Sequence, residues 1–192
     1  GVILNTRILW FFSEVALQVD SENYHQAANR AYEYLRDYFV DHKFGGVYWE
    51  LTAEGKIANS KKQIYAQAFA IYALSSYYKL SGDSAALDLA IHLFELIEAC
   101  GVDQKNQGYL EAFTREWKPI EDLRLSDKDL NFPKSQNTHL HILEAYTSLY
   151  KVYSQEKVQQ ALRYNIDMFD RYMIDRSTGH LRMFMDLQWQ DH

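Results

Sequence analysis

The chain is short of the residues that staple or interrupt a fold. Its 192 residues include one cysteine and two prolines. The single thiol, Cys100, cannot close a disulfide within the chain, which fits a reducing, cytoplasmic setting. Cys100 ends the apolar seam of a helical pattern and reads as core packing rather than as a nucleophile. Pro119 and Pro133 both fall outside the helical patterns, so neither breaks a helix. No run approaches the roughly 18 apolar residues of a membrane-spanning helix, so no membrane partner is expected. A basic-then-apolar signal segment does not open the chain either. Lys and Arg number 20 against 26 Asp and Glu, a net charge of −6. Without a basic cluster to neutralise phosphates, nucleic acid is excluded as a partner.

Aromatic and apolar side chains are abundant. Tyr 15, Phe 10 and Trp 4 stand in a sequence that is 47% hydrophobic, ample for a core. Most of these rings are accounted for by helix packing. Others suit a carbohydrate site, where a flat ring stacks on a sugar face while its polar tip meets hydroxyls.

A unit recurs three times. The segments DHKFGGVYW (41–49), DQKNQGYLE (103–111) and DRSTGHLRM (175–183) resemble one another, with Gly46, Gly108 and Gly179 taken as equivalent and the third copy one residue shorter. Trp117 follows Gly108 and Trp189 follows Gly179 at distances that agree to within one position, whereas the first copy places its Trp49 earlier. Each segment follows a helical pattern and precedes an alternating one, which predicts helix pairs closed by a short β-hairpin at one end. Amphipathic stripes mark helices around 22–39 (Tyr24, Ala28, Ala31, Leu35, Tyr38), 84–100 (Leu87, Ala90, Ile91, Phe94, Ile97) and 156–173 (Val158, Ala161, Leu162, Phe169, Tyr172). The stretches 3–18, 62–80 and 137–153 are apolar on more than one side and predict buried helices. Buried and amphipathic helices in alternation imply an inner and an outer ring. Three pairs make only part of a ring and would leave inner helices exposed, a route to self-association.

Residues 122–146 form a long polar loop that runs into a helix, and long loops in compact domains are usually functional. His139 and His141 lie two positions apart, roughly 200° around a helix turning about 100° per residue. His139 falls with Ile142, Tyr146 and Tyr150 and reads as structural. His141 falls with Asn137, Glu144 and Ser148 on a polar stripe. Divergent directions argue against shared metal ligation. Asn137 also reads as a helix cap, Tyr65 as core, Arg7 as a structural ion-pair partner, and Asp127 to Asp129 as solvated charge.

Five motifs in order, Asn5-Thr-Arg-Ile-Leu-Trp10, Gly45-Gly-Val-Tyr-Trp49, Lys62-Gln-Ile-Tyr-Ala-Gln-Ala-Phe69, Arg124-Leu-Ser-Asp-Lys-Asp129 and Asn137-Thr-His-Leu-His141, resemble the cellobiose 2-epimerases of the N-acylglucosamine 2-epimerase superfamily. Gln136 departs from the methionine expected there. The resemblance implies an all-α fold, a partial (α/α)6 barrel of about half the toroid. It implies that residues 1–192 are a single-domain fragment lacking the first helix and the C-terminal half. That fits a chain opening on Gly1 and ILNTRILWFF, as if inside a larger polypeptide or after processing. It implies reversible epimerisation at C2 of the reducing-end glucose of a β-1,4 disaccharide, with no metal or organic cofactor. Matching positions make Arg7 and His141 catalytic, with Tyr65, Asn137 and Asp129 binding substrate. The principal acid/base histidines of the family belong beyond residue 192, so the chain alone is expected to be inactive. His180 belongs to the hairpin repeat and not to that pair.

Inversion next to a carbonyl needs a base of near-neutral pKa, for which histidine is suited. It also needs fixed donors for the charge that grows on the cis-enediolate oxygens, a role open to Arg7, Asn137 and His141. An aldose–ketose isomerase shares that intermediate. A hydrolase needs a carboxylate pair, for which Glu50, Glu111 and Asp129 are candidates. A non-catalytic sugar-binding or half-barrel partner is the remaining class.

Overall fold

The computed structural model describes residues 1–19 and 21–191. Helices come in consecutive pairs: α1 (Val2–Gln18) with α2 (Glu22–Tyr34), α3 (Ile64–Ser81) with α4 (Ser84–Leu96), and α5 (Gln136–Val152) with α6 (Glu156–Met168). α3 packs on α1 and α5 as well as on α4, while α2 and α6 pack chiefly on their own partners. The odd-numbered helices thus form the inner row and the even-numbered ones the outer row.

Burial follows the number of neighbours. α3, flanked on both sides, buries 13 of its 18 residues. The first helix is less buried than its apolar pattern alone suggests, as an open ring implies: Leu4, Ile8 and Phe11 are 64%, 37% and 50% exposed. Among the described inner helices only α3 lies beside α1, so one flank of its apolar surface is open.

Each outer helix ends in a widened π turn, at Leu35–Phe39, Ile97–Gly101 and Phe169–Met173. The extra residue per turn rotates the apolar stripe out of its 3.6-residue phase. Phe39 and Met173 therefore enter the core, whereas Tyr38 is 48% exposed and Tyr172 only partly buried. Asp83 caps α4, its Oδ1 accepting from the Ala85 N–H at 2.9 Å. Ser135, not Asn137, caps α5: its hydroxyl oxygen accepts from the Thr138 N–H at 3.1 Å, and Asn137 sits within the first turn.

Short antiparallel strands close one end of the pairs. β1 (Glu50–Leu51) and β2 (Ile57–Asn59) form a hairpin. In the other two units the strand that opens the inner helix pairs with the one that follows the outer helix: β3 (Lys62–Gln63) with β4 (Ala112–Phe113), and β5 (Lys134–Ser135) with β6 (Phe184–Met185). There the predicted hairpins shrink to the single bridges Phe113–Pro119 and Met185–Asp191.

Hydrogen bonding corrects the repeat register. The N–H groups of Asp41, Asp103 and Asp175 donate to the carbonyls of Gly46, Gly108 and His180. The copies are therefore uniformly 62 and 72 residues apart, and His180 stands where the first two turns have glycine. Gly179 matches Gly45 and Gln107, all with left-handed φ (+74°, +73° and +69°). Trp117 and Trp189 (φ +62° and +66°) share their place with Gly55 (φ +78°), not with Trp49. The counterparts of Trp49 are Glu111 and Met183, whose carbonyls accept the N–H groups that open α3 and α5.

Successive units are locked at these turns. Trp117 Nε1 donates to the Phe44 carbonyl at 2.9 Å, and Trp189 Nε1 to that of Asn106 at 2.8 Å. Each indole lies over a glycine, Gly46 or Gly108, where a Cβ would come within 2.7 or 2.3 Å of ring carbons. Beneath them Lys62 Nζ donates to Asp41 at 3.0 Å and Lys134 Nζ donates to Asp103 at 2.9 Å. Burial alone would raise the Asp41 carboxyl, but Arg115 at 2.8 Å and Lys62 outweigh it and hold it well below the usual range. Because Lys62 and Lys134 lie in the strands opening α3 and α5, these ion pairs set where the inner helices begin.

Candidate active site

Counted from the residues that open each inner helix, Arg7, Phe69 and His141 occupy the same position in the three units. Three helices therefore bring three different side chains to one level of the inner wall. The Arg7 Cζ lies 5.0 Å from the Phe69 ring centroid, and the His141 ring lies 4.5 Å from it. Tyr65, one turn earlier on α3, meets His141 edge-to-face at 4.8 Å between centroids. Burial raises the Tyr65 phenol above its ordinary value, and the neighbouring Arg7 guanidinium pulls it back. The phenol is thus neutral and beside a fixed cation, a donor next to a charge suited to a developing oxyanion.

His141 Nδ1 lies 2.6 Å from Glu144 Oε2, one turn further along α5. With Nδ1–H donated to the carboxylate, Nε2 carries the ring's lone pair. His139 has the opposite fate: it is fully buried, Nε2 accepting from the Tyr109 N–H at 3.0 Å and Nδ1 donating to the Ser135 carbonyl at 2.8 Å. Burial drives its imidazole down to about 4.

Asn137 lies one helical turn before His141 and lines a cavity of about 170 Å³ with Arg124, Asp129, Glu111 and Phe184. Asp129 accepts from the Ser126 N–H and hydroxyl at 2.8 and 3.0 Å, which folds the loop over this cavity. Gln63 Nε2 and Lys61 Nζ each donate to the Arg124 carbonyl at 2.8 Å and tie the loop to the strand that opens α3. The structure thus gathers Arg7, Tyr65 and His141 directly, and sets Asn137 and Asp129 in the adjoining cavity. Among the described residues no group of three His, Cys, Asp or Glu side chains could hold a metal ion.

Sequence reasoning missed the roles of Phe69 and Glu144. Phe69 aligns with Arg7 and His141 only in the register that the hydrogen bonds set, whereas Glu144 at the i+3 position of His141 was legible from spacing. Glu111 was weighed only as half of a carboxylate pair. It is buried, lines the cavity, and burial lifts its carboxyl to about 7.

Comparison with known proteins matches residues 1–192 to the N-acylglucosamine 2-epimerase (GlcNAc 2-epimerase) family model. The chain is 48% identical over 190 residues to the cellobiose 2-epimerase of Bacteroides fragilis, covering 99% of this chain and 48% of that protein. It is 42% identical over 186 residues to that of Ruminococcus albus, covering 97% and 47%. The cellobiose 2-epimerase structure from Bacillus thermoamylovorans superposes with a TM-score of 0.96 at 36% identity, covering 100% of this chain and 50% of that one. The chain spans about half the length of the relatives it matches, and its three helix pairs are half of their (α/α)6 barrel. In fold, in the motifs along its inner wall and over its whole described length, this chain belongs to the N-acylglucosamine 2-epimerase family.

Proposed function

We propose that this chain forms one wall of a sugar 2-epimerase site that inverts C2 of the reducing-end glucose of a β-1,4 disaccharide such as cellobiose. The observation that carries this reading is the convergence of Arg7, Tyr65 and His141 around Phe69. Removal of the C2 proton leaves a cis-enediolate with charge on O1 and O2. Arg7 and the neutral Tyr65 phenol act as donors to those oxygens, and Asn137 orients the sugar from the adjoining cavity. His141, oriented by Glu144, moves a proton at Nε2. Inversion returns a proton to the opposite face, and this wall has no second imidazole at that level of its described residues. The complete reaction therefore draws its partner group from the other half of a toroid. The names of the relatives support the disaccharide, and the acidic, cluster-free surface fits a neutral sugar rather than a polyanion.

The test is a product assay with cellobiose, on the 192-residue chain alone and mixed with the C-terminal half of the Bacteroides fragilis relative. Alone the chain should give no glucosyl-mannose; the mixture should, and Arg7→Met or His141→Asn in this chain should abolish it. A fructose-ended product would assign aldose–ketose isomerisation instead. Robust turnover by the chain alone would overturn the shared-site reading.

A further inference from the structure

Glu111 is 4% exposed, yet it contributes to the wall of the cavity that holds Asn137 and Asp129. Its backbone is fixed on both sides, the N–H donating to the Pro133 carbonyl at 3.1 Å and the carbonyl accepting from the Ile64 N–H at 2.9 Å. Its Oε2 accepts from the Thr138 hydroxyl at 2.6 Å; its Oε1 makes no hydrogen bond among the described residues, although the Ser135 hydroxyl and N–H also act on the carboxyl and favour its charged form. Thr138 stands between Asn137 and His139 in the first turn of α5, the helix that carries His141 three residues later.

We propose that Glu111 is a positioning residue of the sugar site: through Thr138 it sets the first turn of α5, and with it the placement of Asn137 and His141. The inference rests on the sugar-site reading for its substrate but not for its mechanics. Burial outweighs the Thr138 and Ser135 donors, and no salt bridge among the described residues compensates it, so the group holds its proton up to neutrality. The cations nearby are committed elsewhere, Lys62 to Asp41, Lys134 to Asp103 and Arg124 to Asp122. From the loop, Asp129 adds repulsion that favours the neutral form. The cavity-lining residues Gln136, Asn137, Met183 and Phe184 carry no charge. Above neutrality the ionised carboxyl pulls harder on the Thr138 hydroxyl and recruits solvent or loop donors, which moves the first turn of α5.

The experiment follows the Asn137 side-chain amide by ¹⁵N NMR in the full 192-residue chain across a pH titration. The resonances should move with a midpoint near 7. They should stay at their acid-limb position at every pH in Glu111→Gln, which keeps the shape and the acceptor but not the charge. A flat wild-type trace, or an unchanged transition in E111Q, overturns the proposal. A second arm titrates cellobiose below and above neutrality. Affinity should fall several-fold at the higher pH in the wild type and not in E111Q; equal affinity at both also overturns it. If cellobiose binds at neither pH while the amide still titrates, the sugar-site reading fails and the positioning role stands.

Discussion

His139 Nε2 accepts from the Tyr109 N–H at 3.0 Å, just as Gln67 Oε1, one repeat earlier, accepts from the Val47 N–H at 2.7 Å. The match extends to the other end of each side chain: His139 Nδ1 and Gln67 Nε2 both donate to the carbonyl four residues back, that of Ser135 or Gln63. An imidazole and a primary amide thus perform one structural task, fastening an inner helix to the turn of the preceding unit.

That equivalence defines a substitution whose effect depends on pH. Burial holds the folded His139 at about 4 against an ordinary 6.5. A group with a lowered folded pKa contributes stability that is complete above 6.5 and is lost as pH falls toward 4. The full loss is roughly 3.5 kcal/mol at 1.4 kcal/mol per pH unit. His139→Gln should leave stability at neutral pH within about 1 kcal/mol of wild type and remove most of the decline on acidification. Urea denaturation at neutral and acidic pH measures both quantities. An acid decline of the same size in H139Q would place the lability elsewhere.

The two buried lysines are not equal in energetic terms. Removing Lys62 leaves Asp41 with the Arg115 guanidinium, whose Nε and Nη2 reach it at 2.8 and 3.1 Å. Removing Lys134 leaves Asp103 only the groups of its own turn, the N–H groups of Lys105 and Asn106 and the Asn106 side chain. Breaking a buried pair from one side costs about 3–5 kcal/mol when the remaining charge is unpaired. Lys134→Met should cost an amount in that range and Lys62→Met clearly less, by equilibrium unfolding at neutral pH. Equal losses would show that Arg115 does not compensate.

Much of this architecture is written in the sequence, and the errors have identifiable causes. Periodicity places all six helices because burial imposes it directly: Ala28, Leu35, Ala90, Phe94, Val158 and Ala161 repeat as an apolar face must. It misplaces Tyr38 and Tyr172 because a π turn changes the number of residues per turn, and no residue type marks that change. Glycine matching aligned Gly179 with Gly46 by identity, although the hydrogen-bond register puts His180 there. Gln107 holds the left-handed position as Gly45 and Gly179 do, so composition alone could not show which glycine was essential. At the site, the polar stripe of α5 was legible from spacing. The meeting of Arg7 with Phe69 and His141 required knowing how α1, α3 and α5 lie side by side, which local pattern does not contain.

The corrected register separates two glycines that look alike. At Gly108, φ is +75° and a Cβ would sit 2.3 and 2.6 Å from Trp189 ring carbons and 3.0 Å from His139 Nε2. At Gly179, φ is +74° and nothing lies within 4 Å. Gly179→Ala should cost only the left-handed backbone penalty of about 1–2 kcal/mol. Gly108→Ala adds displacement of the indole and of the hydrogen bond from Trp189 Nε1 to Asn106, so its cost should be at least about twice as large. Thermal unfolding ranks the two, and the Trp189 indole N–H resonance should move in G108A but not in G179A. A similar cost for both variants would mean that the indole does not rest on the Gly108 turn.

Glu144 is placed to select the tautomer of His141, and this can be tested without any sugar. An imidazole free in water favours the Nε2–H form, whereas a carboxylate 2.6 Å from Nδ1 selects Nδ1–H and leaves Nε2 with its lone pair. Ring ¹⁵N shifts of His141 at alkaline pH should therefore report an Nδ1–H tautomer in the wild type and a reversal toward Nε2–H in Glu144→Ala. Phe69 and Tyr65 meet the ring tilted and edge-to-face, contacts that hold its plane without choosing between its nitrogens. Where the complementary half restores turnover, the proton-transfer role proposed for His141 predicts that E144A lowers kcat by about tenfold or more, because the ring would present the wrong nitrogen. KM should change little, since Arg7, Tyr65 and Asn137 are untouched. An unchanged tautomer in E144A would show that the ring is oriented by the wall itself, and Glu144 would then be a surface acid with no part in the site.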